Sequence, residues 1–185
     1  MRLFIAIPIP VMIAPQLHNL TGGVPNMRWV PPENYHITLR FLGEVDGRQL
    51  ADIDAALAGI HAPAFSLQCR GVDCFSSGSR VKNIWTGIEK SSALQHLRDK
   101  VESACVRAGF KPHGHKFTPH VTLAYARDQV PIARLQSYMA HHNLFRSQAF
   151  AVTHFILYSS RLGGESSVYR AERIYELTHA KVEIQ

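Results

Sequence analysis

The sequence predicts a mixed α and β fold, and three observations lead to that prediction. Segments rich in β-branched and aromatic residues recur along the 185 residues, as is typical of strands. Stretches with helical spacing separate several of these segments. The connecting stretches are rich in Gly, Pro and Ser, and none is long enough for a domain linker. The local pattern leaves α+β and α/β both open.

Seven segments are predicted to be strands. The first is Arg2 to Ile9, which Pro8 and Pro10 should end because proline cannot donate to a strand ladder. The others are residues 35–45, 65–75, 80–88, 120–126, 150–159 and 169–177. The short turn between residues 75 and 80 favours an antiparallel hairpin.

Three helices are predicted, at residues 11–19, 48–60 and 91–108, and Gly109 should end the last of them. Loops are expected at residues 21–32, 76–79, 111–119 and 161–167. The chain is long enough to bury a sizeable core, so we expect a single domain over residues 1–185.

Composition narrows the class of protein. Hydrophobic residues make up 46% and charged residues 18%, which is ordinary for a globular chain and argues against disorder. The net charge of +6 favours an anionic partner such as nucleic acid, although proteins that bind none can carry the same charge.

The cysteines and the start of the chain bear on location. Cys69, Cys74 and Cys105 form no C-x-x-C pair, which argues against a disulfide framework and a zinc finger. They favour a reducing cytoplasm. The apolar start is interrupted by proline and too short to span a membrane, so neither a signal peptide nor membrane association is expected.

A repeated tetrapeptide carries the functional prediction. His-Ile-Thr-Leu at residues 36–39 returns as His-Val-Thr-Leu at residues 120–123. With 11 His, seven Thr and 16 Leu in the chain, chance predicts about 0.04 matches to H-x-T-L. Two matches are therefore very improbable by accident.

Strand alternation gives the repeat a chemical meaning. His36 and Thr38 should share one face of their strand, and His120 and Thr122 one face of theirs, while the apolar residues anchor the opposite faces. Strands lying side by side or face to face would then form a cleft with two imidazoles and two hydroxyls. A single motif is explained as well by a half-buried strand whose His and Thr satisfy backbone groups, but the matched pair favours a site.

This set of groups suits a phosphodiester. One imidazole can take a proton from an attacking water while the other, protonated, gives one to the departing oxygen. The hydroxyls can donate to the nonbridging oxygens. Histidine's ordinary pKa of about 6.5 allows opposite protonation states near neutral pH, so we expect neither a metal ion nor another cofactor.

The sequence resembles the 2H phosphoesterase superfamily, and within it the bacterial and archaeal RNA 2′,3′-cyclic phosphodiesterases, also called 2′-5′ RNA ligases. The resemblance covers nearly the whole chain. It rests on Arg-Leu-Phe-Ile-Ala-Ile at residues 2–7, the long first motif at 34–45, Phe-Thr-Pro-His-Val-Thr-Leu-Ala at 117–124, and residues 157–162 followed by Tyr169.

The resemblance implies an α+β fold of two pseudo-symmetric lobes, each with a mainly antiparallel sheet and helices, and an active cleft between them. It implies that His36 and His120 are catalytic, with His120 activating water and His36 protonating the departing 3′ oxygen, and that Thr38 and Thr122 bind the phosphate. The implied reaction opens 2′,3′-cyclic phosphate ends of RNA or nucleotides to 2′-phosphates, and the resemblance also implies reversible 2′-5′ RNA ligation. We expect a monomer. By the residues alone, the two imidazoles could exchange roles.

Three side chains are candidates for RNA binding: Phe41, Tyr125 and Arg127. Many relatives have Arg directly after the second motif's Leu-Ala, where this chain has Tyr125, and Arg127 comes later. Strict alternation places residues 125 and 127 on the face opposite to His120. Aromatic side chains near the cleft could stack on a base, although aromatics in strands more often belong to the core; they are Phe41, Phe75, Trp85, Phe117 and Tyr125.

Alternatives remain at other positions. His113, His115 and His120 form a run that a metal could use, with His141 and His142 as further ligands, but no acidic or cysteine ligand lies nearby and solvated loop histidines are favoured. Lys111, His113, His115 and Lys116 could instead form a basic rim for RNA. A phosphodiesterase for 2′-5′ linkages or for cyclic ADP-ribose phosphate and a noncatalytic RNA-end binding module are the competing functions.

Overall fold

The computed structural model describes residues 1–163 and 167–179, and within these ranges the fold is α+β, as predicted. The strands are β1 (Arg2–Pro8), β2 (Met27–Trp29), β3 (His36–Glu44), β4 (Phe65–Leu67), β5 (Cys69–Ser77), β6 (Arg80–Ile88), β7 (His120–Ala126), β8 (Phe150–Val152), β9 (His154–Leu162) and β10 (Ser167–Glu176). The α-helices are α1 (Ala14–His18), α2 (Gly47–Ala58), α3 (Ser92–Arg107) and α4 (Ile132–His142), and Pro32–Asn34 forms a 3₁₀ helix.

Most predicted elements are confirmed, with differences that have local causes. The strand predicted at residues 65–75 divides into β4 and β5, and the one at 150–159 divides into β8 and β9, because β4 and β8 leave the main sheet and pair with each other. β9 continues to Leu162 and β10 begins at Ser167, so both extend into the loop predicted at 161–167, of which residues 164–166 lie outside the described part. β2 lies in a predicted loop and is only three residues long. The helix α4 was not predicted, although its buried Leu135 and Tyr138 have helical spacing.

Side-chain caps define where the two long helices begin. At α2, the Asp46 carboxylate accepts from the Gln49 backbone N–H at 2.8 Å, and the Gln49 side chain accepts from the Asp46 N–H at 3.1 Å, which is a capping box. At α3, the Ser91 hydroxyl accepts from the Leu94 N–H at 3.1 Å. After α3, Gly109 adopts a φ of +90°, a conformation that glycine adopts without steric cost.

The main sheet is antiparallel and consists of two halves. Its strand order is β10-β9-β1-β3-β7-β6-β5, with β2 also paired to β7. β3 and β7 are joined by one residue pair only, Ile37 with Val121, whereas the pairings within each half are extensive. The hairpin predicted around residues 75–80 is confirmed as β5 and β6.

One face of both halves packs against the helices. Ile37 and Val121 are completely buried, and they join a single cluster with side chains from α2 and α3, including Leu57 and Leu97. Each fully buried aliphatic side chain contributes about 1.5–3 kcal/mol. The helices are therefore held on one face of the sheet, and side chains of opposite parity are left for the other face.

No helix in residues 1–163 or 167–179 is both long enough and apolar enough to cross a bilayer. The predicted domain, residues 1–185, extends past the described part of the chain and stays a prediction.

Candidate active site

The two copies of the repeated motif lie on neighbouring strands. β3 and β7 meet only at the second residue of each motif. Because the pair is antiparallel, His36 lies toward Thr122, and Thr38 lies toward His120. β3 pairs with β1, and β7 with β6, along their other edges, and β2 instead of β3 lies beside β7 from Ala124 to Ala126, so β3 and β7 separate. A cavity of about 340 Å³ opens there, and all four side chains line it.

A β-bulge follows the threonine of the first motif. In the pairing of β1 with β3, Thr38 lies opposite Ala6 and Arg40 lies opposite Ile5, so Leu39 is an extra residue on β3. Leu39 and Arg40 are consecutive and both buried. A bulge of this kind reverses the alternation of the residues that follow it.

The second motif contains the same irregularity, and it corrects one prediction. The register between β6 and β7 shifts across Leu123, and both Leu123 and Ala124 are buried. Strict alternation placed Tyr125 on the face opposite to His120, and this is wrong because the bulge returns Tyr125 to the cavity. Phe41 occupies the corresponding position in β3 and lines the same cavity.

Arg127 is not brought to this cavity. It follows the last residue of β7, and its backbone N–H donates to the carbonyl oxygen of Asn26 at 2.8 Å. Its side chain is exposed. Of the three candidates for RNA binding, the structure therefore brings Phe41 and Tyr125 to the cavity and leaves Arg127 outside it.

Both imidazoles are held by the same backbone contact. Nδ1 of His36 lies 2.7 Å from the carbonyl oxygen of Asn34, and Nδ1 of His120 lies 2.7 Å from that of Thr118. A carbonyl oxygen can only accept, so Nδ1 carries the hydrogen in both rings. Nε2 is then the atom of each imidazole that can gain or lose a proton. A backbone contact of this kind was the alternative explanation for a single motif, and here it holds both imidazoles in the same way.

Aromatic rings surround both imidazoles and lower their pKa values. Ring centroids lie 5.0 to 5.4 Å away, and the rings are Phe4 and Tyr169 for His36, and Phe75 and Trp85 for His120. Burial lowers the pKa of His36 below its ordinary value of about 6.5, and the charge of the neighbouring His120 lowers it further. Burial also lowers the pKa of His120. The pair can therefore hold opposite protonation states on the acidic side of neutrality.

The cavity is also lined by polar side chains that were not assigned to the site from the sequence. They are Arg2, Asn83, Ser160, Ser167 and Tyr169. Arg2 and Phe4 share one face of β1 with Ala6, which pairs with Thr38. Alternation along β1 could have identified Arg2, but only with the knowledge that β1 lies next to β3.

The alternative metal site is not assembled. His113 and His115 touch, with ring centroids 5.4 Å apart, whereas His120 lies in the cavity with His36. His141 and His142 belong to α4. The part of the chain that the structure describes contains no group of three or more His, Cys, Asp or Glu side chains that could hold a metal ion.

A buried ion pair anchors the loop that precedes His120. Nε of Arg40 lies 3.3 Å from Oε2 of Glu102, and the Arg40 guanidinium also donates to the carbonyl oxygen of Lys111. Oε1 of Glu102 accepts from the backbone N–H of His113 at 2.7 Å. The start of the loop at residues 111–119 is thus tied to β3 through Arg40 and to α3 through Glu102.

Comparisons with known proteins identify a family and a fold. A model of the 2′-5′ RNA ligase superfamily matches residues 10–164. An RNA 2′,3′-cyclic phosphodiesterase of Aeropyrum pernix is 42% identical over 103 residues, which is 55% of this chain and 58% of that protein. One of Archaeoglobus fulgidus is 28% identical over 183 residues, covering 95% of this chain and 100% of that protein. The structure of Escherichia coli LigT complexed with 3′-AMP superimposes with a TM-score of 0.77 at 26% identity, covering 96% and 98% of the two chains.

Proposed function

Since the chain belongs to the 2′-5′ RNA ligase superfamily, we propose that it is an RNA 2′,3′-cyclic phosphodiesterase that opens cyclic phosphate ends of RNA or nucleotides to 2′-phosphates. The observation that carries the proposal is the pair of His and Thr side chains from the two motifs, all four lining one cavity. In both imidazoles Nδ1 donates a hydrogen bond to a backbone carbonyl oxygen, so Nε2 is the single nitrogen of each ring that is available for proton transfer.

The reaction needs two proton transfers and one displacement at phosphorus. Nε2 of neutral His120 takes a proton from water as the water oxygen bonds to phosphorus. The bond from phosphorus to the 3′ oxygen breaks, and that oxygen receives the proton held on Nε2 of His36. The product carries a 2′-phosphate and a 3′-hydroxyl, and the two imidazoles have exchanged protonation states. The assignment of base to His120 and acid to His36 follows the family resemblance, whereas the charge of His120, which lowers the pKa of His36, by itself favours the opposite assignment.

The threonines act on the phosphate itself. Their hydroxyls donate to the two nonbridging oxygens, which carry the negative charge of the cyclic ester. Hydrogen bonds to a charged group contribute about 1.5–3 kcal/mol. Because Thr38 lies toward His120 and Thr122 toward His36, one hydroxyl and one imidazole lie together at each side of the phosphate.

Aromatic side chains at the same cavity are available to stack on the base of the terminal nucleotide. Phe41 and Tyr125 follow the two bulges at equivalent positions and both line the cavity. Arg28 lies over the Tyr125 ring, 5.6 Å from its centre, and so supports that side chain. Stacking contributes about 1–3 kcal/mol per base and tolerates any base. Tyr125 thus offers a stacking surface where many relatives have Arg.

The relatives support the choice of substrate. The Aeropyrum pernix and Archaeoglobus fulgidus proteins are both named RNA 2′,3′-cyclic phosphodiesterase. The LigT structure is a complex with 3′-AMP, a nucleoside monophosphate. With a 5′-hydroxyl in place of water as the attacking group, the same ring opening and the same two proton transfers would form a 2′-5′ linkage.

The test is incubation with 2′,3′-cyclic AMP followed by chromatographic separation of 2′-AMP from 3′-AMP. Two imidazoles at fixed positions define one line through phosphorus, and a misplacement of about 1 Å costs about 10²-fold in rate, so a single isomer is expected. We expect 2′-AMP alone. A panel containing 2′-5′-linked diadenylate and cyclic ADP-ribose phosphate covers the competing reactions.

Other results would contradict the proposal in distinct ways. Formation of 3′-AMP would mean that the acid faces the 2′ oxygen. A mixture of isomers would mean that the histidines do not determine the direction of attack. Tight binding of cyclic-ended RNA without turnover would support a noncatalytic binding module instead.

A further inference from the structure

We propose that a second cavity beside the candidate active site binds the nucleotide that precedes the cyclic end of an RNA, so that the protein prefers oligonucleotides to mononucleotides. This inference rests on the proposed function. The second cavity has a volume of about 210 Å³. It shares Thr38, Phe41 and His120 with the first cavity, so the two cavities are adjacent and these side chains form the wall between them.

The second cavity has aromatic surfaces of the kind that bases stack on. Phe41 borders both cavities and is 60% exposed, which is unusual for a phenylalanine in a central strand. Phe117 lies in the same lining, and the Arg98 guanidinium lies 5.6 Å from the centre of its ring. A base placed there would stack on a phenyl ring and cover apolar surface that is now exposed to water.

The same cavity offers a positive charge to a phosphate. Lys116 lines it and is exposed, and it forms no ion pair with any residue in the ranges 1–163 and 167–179. Arg98 differs in this respect, because it lies 3.6 Å from Asp99 and 3.8 Å from Glu102 and its charge is compensated. Lys116 is therefore the cation of this cavity that is available to an anionic ligand.

The chemistry of the substrate makes the preceding nucleotide the occupant. A 2′,3′-cyclic phosphate uses both of those oxygens, so the 5′ oxygen is the single link between the terminal nucleoside and the rest of the RNA. Any preceding nucleotide must leave the first cavity through that link. The second cavity provides, directly across the shared wall, aromatic rings for its base and Lys116 for the connecting phosphate.

The second cavity is also formed before the ligand arrives. Its Lys116 and Phe117 belong to the loop at residues 111–119, which the buried contacts of Arg40 and Glu102 hold against β3 and α3. A ligand that enters a preformed cavity loses less affinity to the ordering of the protein. The loop is thus held as a wall of a binding site.

The experiment compares kcat/KM for 2′,3′-cyclic AMP with that for the dinucleotide ApA carrying a 2′,3′-cyclic phosphate. We expect kcat/KM of the unmodified protein to be about tenfold or more higher for the dinucleotide, because the stacking free energy of one base corresponds to a factor of that size. Lys116→Ala and Phe117→Leu should each lower kcat/KM for the dinucleotide several-fold and leave that for cyclic AMP unchanged. Lys116→Ala should also weaken the dependence of kcat/KM on salt concentration for the dinucleotide, because salt screens the contact between the ammonium group and the phosphate.

Two matched variants serve as controls. Phe117→Tyr keeps the aromatic face and should keep the dinucleotide preference. Lys90→Ala removes one exposed charge beside a separate cavity and should change neither substrate. Equal losses on both substrates in Lys116→Ala or Phe117→Leu, or an equal effect of Lys90→Ala, would contradict the subsite.

The failure of this inference differs from the failure of the proposed function. If the unmodified protein hydrolyses cyclic AMP but shows no preference for the dinucleotide, the subsite is wrong and the proposed function stands. If neither substrate is hydrolysed, the proposed function is wrong, and the inference falls with it.

Discussion

Replacing Glu102 with glutamine should destabilise the protein far more than the same change at Glu89. Glu102 lies within 4 Å of two guanidinium groups, at 3.3 Å from Arg40 and 3.8 Å from Arg98. The side chains of Arg40, Arg98 and Glu102 are 7%, 11% and 16% exposed. A glutamine keeps the shape and can still accept from the His113 N–H, so the change removes the negative charge and leaves buried Arg40 without its anion and Arg98 with Asp99 alone.

The expected magnitude follows from burial. Removing one partner of a buried ion pair costs about 3–5 kcal/mol, because the remaining charge is left uncompensated. Oε2 of Glu102 and Nε of Arg40 are not aligned as a hydrogen bond, which places the cost near the lower end, at about 3 kcal/mol. Glu89 pairs with Arg70 at 3.0 Å, but those side chains are 36% and 56% exposed, and a pair of that kind contributes about 0–1 kcal/mol.

The assays are equilibrium unfolding in urea and thermal unfolding, both followed by circular dichroism, for the unmodified protein and the variants Glu102→Gln and Glu89→Gln. In a domain of this size about 1 kcal/mol corresponds to 2–4 °C in Tm, so Glu102→Gln should lower Tm by about 6–12 °C and Glu89→Gln by no more than about 4 °C. The urea m-value should not change. Because Glu102 also anchors the loop before His120, kcat/KM for a cyclic nucleotide should fall only in the Glu102 variant. Losses of unfolding free energy that agree within about 0.5 kcal/mol would refute the argument from burial.

Four further predictions concern the reaction. His36→Ala and His120→Ala should each lower kcat by about 10²-fold or more in folded protein. The loss of kcat in the double variant should be far smaller than the product of the two single losses, since the two groups act together. Near-native turnover in either single variant would remove that residue from the mechanism. Thr38→Val and Thr122→Val should each cost about 10-fold to 10²-fold, which is the value of one hydrogen bond to a charged oxygen, and unchanged rates would exclude the phosphate contact. The profile of kcat/KM against pH should be a bell with its maximum below about 6.5, because the pKa values of both imidazoles are lowered and both limbs of the bell therefore move to lower pH. A flat profile from pH 5 to 9 with rate-limiting chemistry would contradict this prediction. Excess chelator should leave turnover unchanged, because the two imidazoles supply both proton transfers, and a loss that zinc or manganese restores would overturn this.

The four side chains at the centre of the site could be predicted because their arrangement depends on local backbone geometry. Two residues separated by one always share a face of a strand, whatever the strand packs against. The repeat therefore paired His36 with Thr38 and His120 with Thr122 before any contact was known. The extents of β6 and β7 were also predicted in full, because long runs of β-branched and aromatic residues are a local property.

Alternation fails where the strand pairing changes. The bulges at Leu39 and Leu123 exist because β1 and β6 present one residue fewer than the strands opposite them. The number of residues that the neighbouring strand presents cannot be read from the sequence alone, and so Tyr125 was assigned to the wrong face. The same reason applies to Arg2, whose position at the cavity depends on β1 lying beside β3.

The sequence by itself determined the motif pair and the face that each motif presents, since these follow from residue type and the two-residue period of a strand. Only the tertiary structure decided that β3 and β7 meet at a single residue pair and then separate, that the bulges return Phe41 and Tyr125 to the cavity, and that Arg40 and Glu102 hold the loop beside it. Those features depend on contacts between residues far apart in the chain, such as Ile37 with Val121 and Arg40 with Glu102. Such contacts form because a core must be closed and buried charges must be paired, and both conditions are met by the fold as a whole.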